Sequence, residues 1–187
     1  RDVRRMSVAP DSLHVGEYVV RKYEIADAQA LVDAVTESSE HLRPWMPWMK
    51  FEPQTVAQRE VLIKTWSDSW DTCTEFVMGI FLDDRVVGGT GIHLRGDVNT
   101  VDIGYWVHVD YIGRGIATQV SRALTETAFA LWAEIDTVEI HHSESNIASG
   151  KVPLRLGFKH VRTFRNQTPE APGESGVGYH WAINREK

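Results

Sequence analysis

Between residues 100 and 120 the chain reads TVDIGYWVHVDYIGRGIATQV, and its hydrophobic period changes once, across a pair of glycines. Upstream, Val101, Ile103, Tyr105, Val107 and Val109 fall on one side of an extended segment, with Asp102, Gly104, Trp106 and His108 on the other. Downstream, Ile116, Val120, Leu124, Ala128 and Leu131 recur at helical spacing and predict a helix over 115–133. A strand therefore runs into a helix through a bare loop. The first N–H groups of a helix have no partner within it, and the macrodipole leaves partial positive charge there. With Gly113 and Gly115 keeping side chains out of the way, the junction is a cradle for an anion, phosphate above all. Arg114 can pair with a further phosphate or point into solvent.

The surrounding pattern narrows the fold. A strand is expected at 16–24, a helix at 28–38, an irregular Trp- and Pro-rich stretch at 38–54, and a helix at 54–71. EFVMGIFL (75–82) and RVVGGTGIHL (85–94) read as a hairpin around Asp83-Asp84, and GDVN (96–99) as a turn into the 100–109 strand. Further strands are expected at 136–142, 158–165 and 177–185, with a short helix between 146 and 158 and a polar loop at 166–176. Hairpins followed by one strand–helix crossover give an α+β chain of mixed sheet in one domain over 1–187, its core about 17–185.

Several classes fall away. No G-x-x-x-x-G-K-[ST] run exists, and the sixth residue from Gly113 is Thr118, so the dinucleotide pattern G-x-G-x-x-G/A fails by one place. The net charge of −6 comes without a Lys/Arg stripe, which argues against nucleic acid as a partner. The acidic excess suits a cationic substrate or simply solubility. No apolar run approaches the ~20 residues that span a bilayer, and no signal peptide is read at the start. One cysteine, Cys73, fits a reducing, cytoplasmic setting. The histidines show no metal-ligand spacing such as H-E-x-x-H, so no metal is expected.

A second stretch, NIASGKVPLRLGF (146–158), sets Asn146, Ser149, Val152, Arg155, Leu156, Gly157 and Phe158 in the order N-x-x-S-x-x-V-x-x-R-L-G-F. With IGRGIA (112–117) upstream, this resembles the GCN5-related N-acetyltransferases (GNAT). GYW (104–106) and HLRPWMPW (41–48) resemble their RimJ/RimL subgroup more narrowly. The resemblance implies a central, mostly antiparallel mixed sheet of about six to seven strands, flanked by about four helices. It implies acetyl-CoA, or a related acyl-CoA, as co-substrate and an amine as acceptor: a protein N-terminus or a small molecule. The pyrophosphate would lie on Gly113, Arg114, Gly115, Ile116, Ala117 and Thr118. The pantetheine arm would pair with the backbone of Val107, His108 and Val109 between splayed strands. Ile112 departs from the family, where Gln or Arg is usual.

Acyl transfer to an amine needs a proton acceptor for the amine and a donor for the leaving thiolate. Many family members supply the donor as a tyrosine seven residues after the motif asparagine. Here that position is Pro153. The RimL-type resemblance assigns the role to Ser149 instead, which otherwise caps the 150–156 helix. Asn146 either anchors the pantetheine or caps. Asp102 is the candidate base, close to where some relatives carry a glutamate; otherwise it is an exposed strand aspartate. Glu40 and His41 are alternatives, and of His141 and His142 at most one should face the site. Trp45, Met46, Trp48 and Met49 divide between acceptor pocket and core. A monomer or a homodimer suits this reading. Its rivals are a silent CoA-binding domain, which does not need Ser149, and a nicotinamide-dependent oxidoreductase.

Overall fold

A short hairpin begins the sheet: β1 (Ser12–Val15) and β2 (Tyr18–Lys22) turn at Gly16, whose φ of 60° suits glycine. The structure, a computed structural model, describes residues 7–94, 97–166 and 168–186. Gly96 of the expected 96–99 turn, Gln167 of the 166–176 loop and the first six residues lie outside the described residues. The single strand expected at 16–24 is thus the second arm of this hairpin. SLHV is too short to announce itself as the first.

The helix α1 (Ala28–Glu37) is followed by one extra turn, α2 (Ser39–Leu42), and a 3-10 turn at Pro47–Phe51. The stretch expected to be irregular is therefore partly helical. α3 (Val56–Asp71) starts at a reciprocal cap: Gln58 N–H donates to Thr55 Oγ1, and Thr55 N–H to Gln58 Oε1. β3 (Glu75–Leu82) and β4 (Arg85–His93) form the expected hairpin. β5 (Thr100–Val107) leads through a 3-10 turn at Val109–Tyr111 into α4 (Ile116–Leu131). β6 (Thr137–Ser143), α5 (Ile147–Arg155), β7 (Lys159–Arg165) and β8 (Val177–Asn184) complete the chain. Among the described residues the sheet has eight strands in the order β1-β2-β3-β4-β5-β6-β8-β7, against the expected six to seven, and there only β5–β6 is parallel.

Both faces of the sheet are covered, so β4 is buried from Val86 to Ile92 without alternation. α1 and α3 pack Leu31, Val35 and Ile63 against Phe81 and Val86. α4 packs Ile116, Val120, Leu124 and Ala128 against Val101, Ile103 and Val138. Each fully buried side chain of this size contributes about 1.5–3 kcal/mol. Among the described residues, no helix is long and apolar enough to cross a membrane.

The feature that makes a site is where pairing stops. β5 and β6 are paired only through Thr100↔Thr137, Val101↔Val138 and Asp102↔Glu139. Beyond Asp102, β5 stays with β4 to Val107, and β6 stays with β8 to Ser143. The sheet forks, leaving two facing strand edges that want hydrogen-bond partners.

Candidate active site

At the open end of the fork lies the glycine loop. Gly113 (φ 75°) and Gly115 (φ 72°) both adopt the left-handed conformation, and Gly115 precedes α4 without a side-chain cap. A Cβ at Gly113 would meet no protein atom within 4 Å, so the space beside the loop is open to a ligand. The first bond within α4 is Gln119 N–H to Gly115 O, leaving the N–H groups of Ile116, Ala117 and Thr118 as the unpaired first turn. The Ile116 side chain is buried, so only its backbone can serve a ligand. Arg114 folds back on its own loop, donating to Asp110 O (3.2 Å) over the Tyr111 ring.

The segment before this loop is held from below. His108 N–H donates to Val87 O (2.9 Å), and Val109 N–H donates to Ser38 Oγ (3.1 Å). The buried His108 ring accepts from Asp110 N–H at Nδ1 (3.0 Å), so its proton sits on Nε2 and donates to Glu37 Oε2 (2.6 Å). That hydrogen bond from His108 holds the Glu37 carboxyl below the usual carboxylate range. Glu37, His108 and Asp110 come within reach of one shared cation, but Arg85 already pairs with both carboxylates. Two of the three backbone N–H groups expected to meet pantetheine, those of His108 and Val109, are therefore already engaged. Hydrogen-bonded pairs alternate along antiparallel strands, so with His108 bonded to β4 the backbone groups of Tyr105 and Val107 face the fork.

At the closed end sits Asp102. It is no exposed strand residue: only 5 % of it is accessible. Its Oδ2 lies 2.6 Å from Nδ1 of His141, a close carboxylate–imidazole contact. Both His141 and His142 border the cavity, against the alternation expected of a flat strand, because β6 has a free edge there. They differ in their bonding. His142 donates from Nδ1 to Ser143 O (2.7 Å) and accepts from Trp181 Nε1 at Nε2 (2.9 Å). Burial pushes its pKa down, so it stays neutral and committed.

Midway along the fork, β5 meets α5. Asn146 caps the helix, accepting from Ser149 N–H at Oδ1 (3.2 Å), so Ser149 is inside the first turn and is not the cap. Pro153 then lies within the helix and cannot donate to the Ser149 carbonyl. The Tyr105 hydroxyl donates there instead, at 2.7 Å, and accepts from the Ser149 hydroxyl at 3.1 Å. Burial, with a smaller contribution from Asp102, raises the Tyr105 pKa strongly, so it keeps its proton. Tyr105 is the residue that sequence reasoning missed. The signal was present as an unexplained proline, but its partner is 44 positions away.

A cavity of about 1000 Å³ runs from this fork to an aromatic lobe bordered by Trp45, Met46, Trp48 and Trp66. Met49 is buried in the core beneath it. Glu40 and His41 are not among the residues lining the cavity: they lie on the extra turn α2, where Glu40 is exposed. Arg59 and Glu52 form a buried ion pair at 2.5 Å on the lobe's wall.

Residues 18–159 match the Acetyltransferase (GNAT) domain model. The chain belongs to this acetyltransferase family. Among curated relatives, YdaF of Bacillus subtilis (strain 168), which bears a ribosomal N-acetyltransferase name, is 28% identical over 146 residues, covering 77% of this chain and 79% of that protein. A crystal structure titled "Probable acetyltransferase" superposes with a TM-score of 0.84 at 25% identity, over 93% of this chain and 97% of that one. The microcin C7 self-immunity acetyltransferase MccE, in complex with acetyl-CoA and AMP, has a TM-score of 0.85 at 18% identity over 96% and 99% of the two chains, a likeness of fold. The family read from IGRGIA and NIASGKVPLRLGF is borne out by the domain match, and the ribosomal N-acetyltransferase name of YdaF accords with the RimJ/RimL resemblance.

Proposed function

We propose that this protein transfers the acetyl group of acetyl-CoA, or a related acyl group, to a primary amine by direct attack in a ternary complex. The observation that carries the reading is the fork itself: open strand edges ending at a phosphate-ready helix start, with a cavity of about 1000 Å³ bordered by residues of both its strands. MccE holds acetyl-CoA on the same fold, and the Mycobacterium smegmatis RimJ structure holds a CoA disulfide.

In this reading the N–H groups from Gly113 to Thr118 receive the pyrophosphate. The backbone of Tyr105 and Val107 takes the pantetheine amides in place of the 107–109 stretch, whose other N–H groups are engaged. The thioester then lies beside Ser149. The amine nitrogen attacks the carbonyl carbon, the C–S bond breaks, and its electron pair stays on sulfur. Ser149 turns its hydroxyl proton from Tyr105 to that sulfur, a rotation about one bond. The amine's proton leaves toward the Asp102 end of the fork. Trp45 and Trp48 line the acceptor's entrance. An N-terminal α-amine of a protein is the acceptor class that the ribosomal names among the relatives favour. A small-molecule amine fits the same cavity.

The test is thiol release with acetyl-CoA and a panel of amines and short peptides, beside calorimetry of acetyl-CoA alone. Turnover that depends on an amine is expected. Tight binding without turnover for any acceptor would replace this reading with a silent CoA-binding domain.

A further inference from the structure

Given acetyl transfer, the amine must lose a proton, and Asp102 is poorly placed to take it directly. It sits in the crotch of the fork, between β4 and β6, with its carboxylate turned to His141. We infer that His141 is the general base of this enzyme and that Asp102 is the residue that positions it.

The geometry carries this. Asp102 Oδ2 lies 2.6 Å from Nδ1, so in the proposed step the carboxylate faces one ring nitrogen and Nε2 is the nitrogen that takes the proton. A buried carboxylate on one nitrogen holds the ring in one orientation and steadies the imidazolium that forms when the other nitrogen takes a proton. His141, Asp102, Ser149 and Tyr105 all line the same cavity.

Its other neighbours agree. The ring stacks on His180, centroids 5.3 Å apart. Arg162 donates to His180 Nδ1 (3.1 Å), since a guanidinium can only donate, and burial followed by that charge pushes the His180 pKa down. His180 therefore stays neutral and does not repel a charged His141. Glu139, 3.6 Å from His180, adds negative charge to the same side.

The alternatives are weaker. His142 has both nitrogens committed, and Tyr105 keeps its proton. His93 pairs with Glu75 at 3.2 Å, but it stands on β4, one strand back from the fork. In the step, the amine nitrogen bonds to the thioester carbon, its proton moves to His141 Nε2, and the C–S electron pair leaves on sulfur. No further reactant is needed.

His141→Gln keeps a polar side chain of similar reach and removes the base. It should lower kcat/KM for the amine by about 10² or more, flatten the acidic limb of the pH–rate profile, and leave acetyl-CoA affinity within about twofold. Asp102→Asn removes the charge that steadies the imidazolium, so its acidic limb should move to lower pH while the rate falls. Asp102→Glu should restore part of both. If His141→Gln folds poorly, His141→Ala with added imidazole replaces it, and recovery of rate with imidazole is expected. Wild-type turnover with an unchanged His141→Gln profile, or no imidazole recovery in a folded His141→Ala, overturns the base. Wild-type protein that binds acetyl-CoA but releases no thiol with any amine overturns the acetyl-transfer reading, and the base with it.

Discussion

The glycine loop and the fork behave as two kinds of site within one strand. The loop is local: residues 113–118 build it from backbone alone, with two left-handed glycines and the start of a helix. The fork is assembled from afar. Asp102 meets His141 and Tyr105 meets Ser149 only because β6 and α5 come back across β5. Binding of a common anion can be entrusted to N–H groups that any sequence possesses, whereas proton transfer needs particular side chains at hydrogen-bond distance. Substitutions in the two regions should therefore fail in different ways.

The largest effect on stability is expected at Tyr105. Tyr105→Phe leaves the Ser149 carbonyl without a donor, because Pro153 cannot replace it. Losing a hydrogen bond to this partly buried carbonyl costs about 0.5–1.5 kcal/mol, readable as a lower urea midpoint, with acetyl-CoA affinity little changed. An unaltered midpoint would mean that the fork does not depend on this bond.

Next is the loop. Gly115→Val places a β-branched residue at φ 72° and fills the space beside the helix start. Acetyl-CoA affinity should fall at least tenfold, about 1.4 kcal/mol, by calorimetry. Unchanged affinity in a folded variant would remove the loop from the binding site.

Asn146→Ala should cost about 1 kcal/mol by losing the cap of α5, while Ser149→Ala, which caps nothing, should cost less stability and lower kcat. Thermal melts and turnover on the same preparations separate the two, and equal stability losses would make Ser149 a structural residue.

The smallest effect is that of pH. His142 and His180 have folded-state pKa values below their unfolded ones, chiefly through burial, so the unfolded chain binds protons first as pH falls. Stability should decline as pH drops through about 6.5 and level off below the folded-state values. Glu37, whose pKa is also lowered, contributes stability that is lost only in the lower, carboxylate range. A midpoint that rises between pH 7.5 and 5.5 would contradict this sign, and His180→Gln should flatten the slope.

How much of this was legible in the sequence follows the same division. The strand–loop–helix junction, the β3–β4 hairpin and α3 were readable because period, caps and glycines act over a few residues. β1 was missed because four residues give no period. The 38–54 stretch hid a helical turn, α2, and with it the displacement of Glu40 and His41 from the cavity. Asp102 was singled out, but as an exposed residue if not a base: an alternating strand pattern cannot show that the opposite face is also covered, nor that a histidine stands beside it on the next strand, one crossover later. Pro153 announced a broken hydrogen bond; only the fold supplies Tyr105 to mend it.

The most direct test of this division is to measure acetyl-CoA affinity and turnover at saturating donor on Gly115→Val and Ser149→Ala together. Weakened binding with near-normal saturated turnover in the first, and normal binding with reduced turnover in the second, is the predicted result. Both quantities moving by the same factor in both variants would contradict a loop that binds and a fork that reacts.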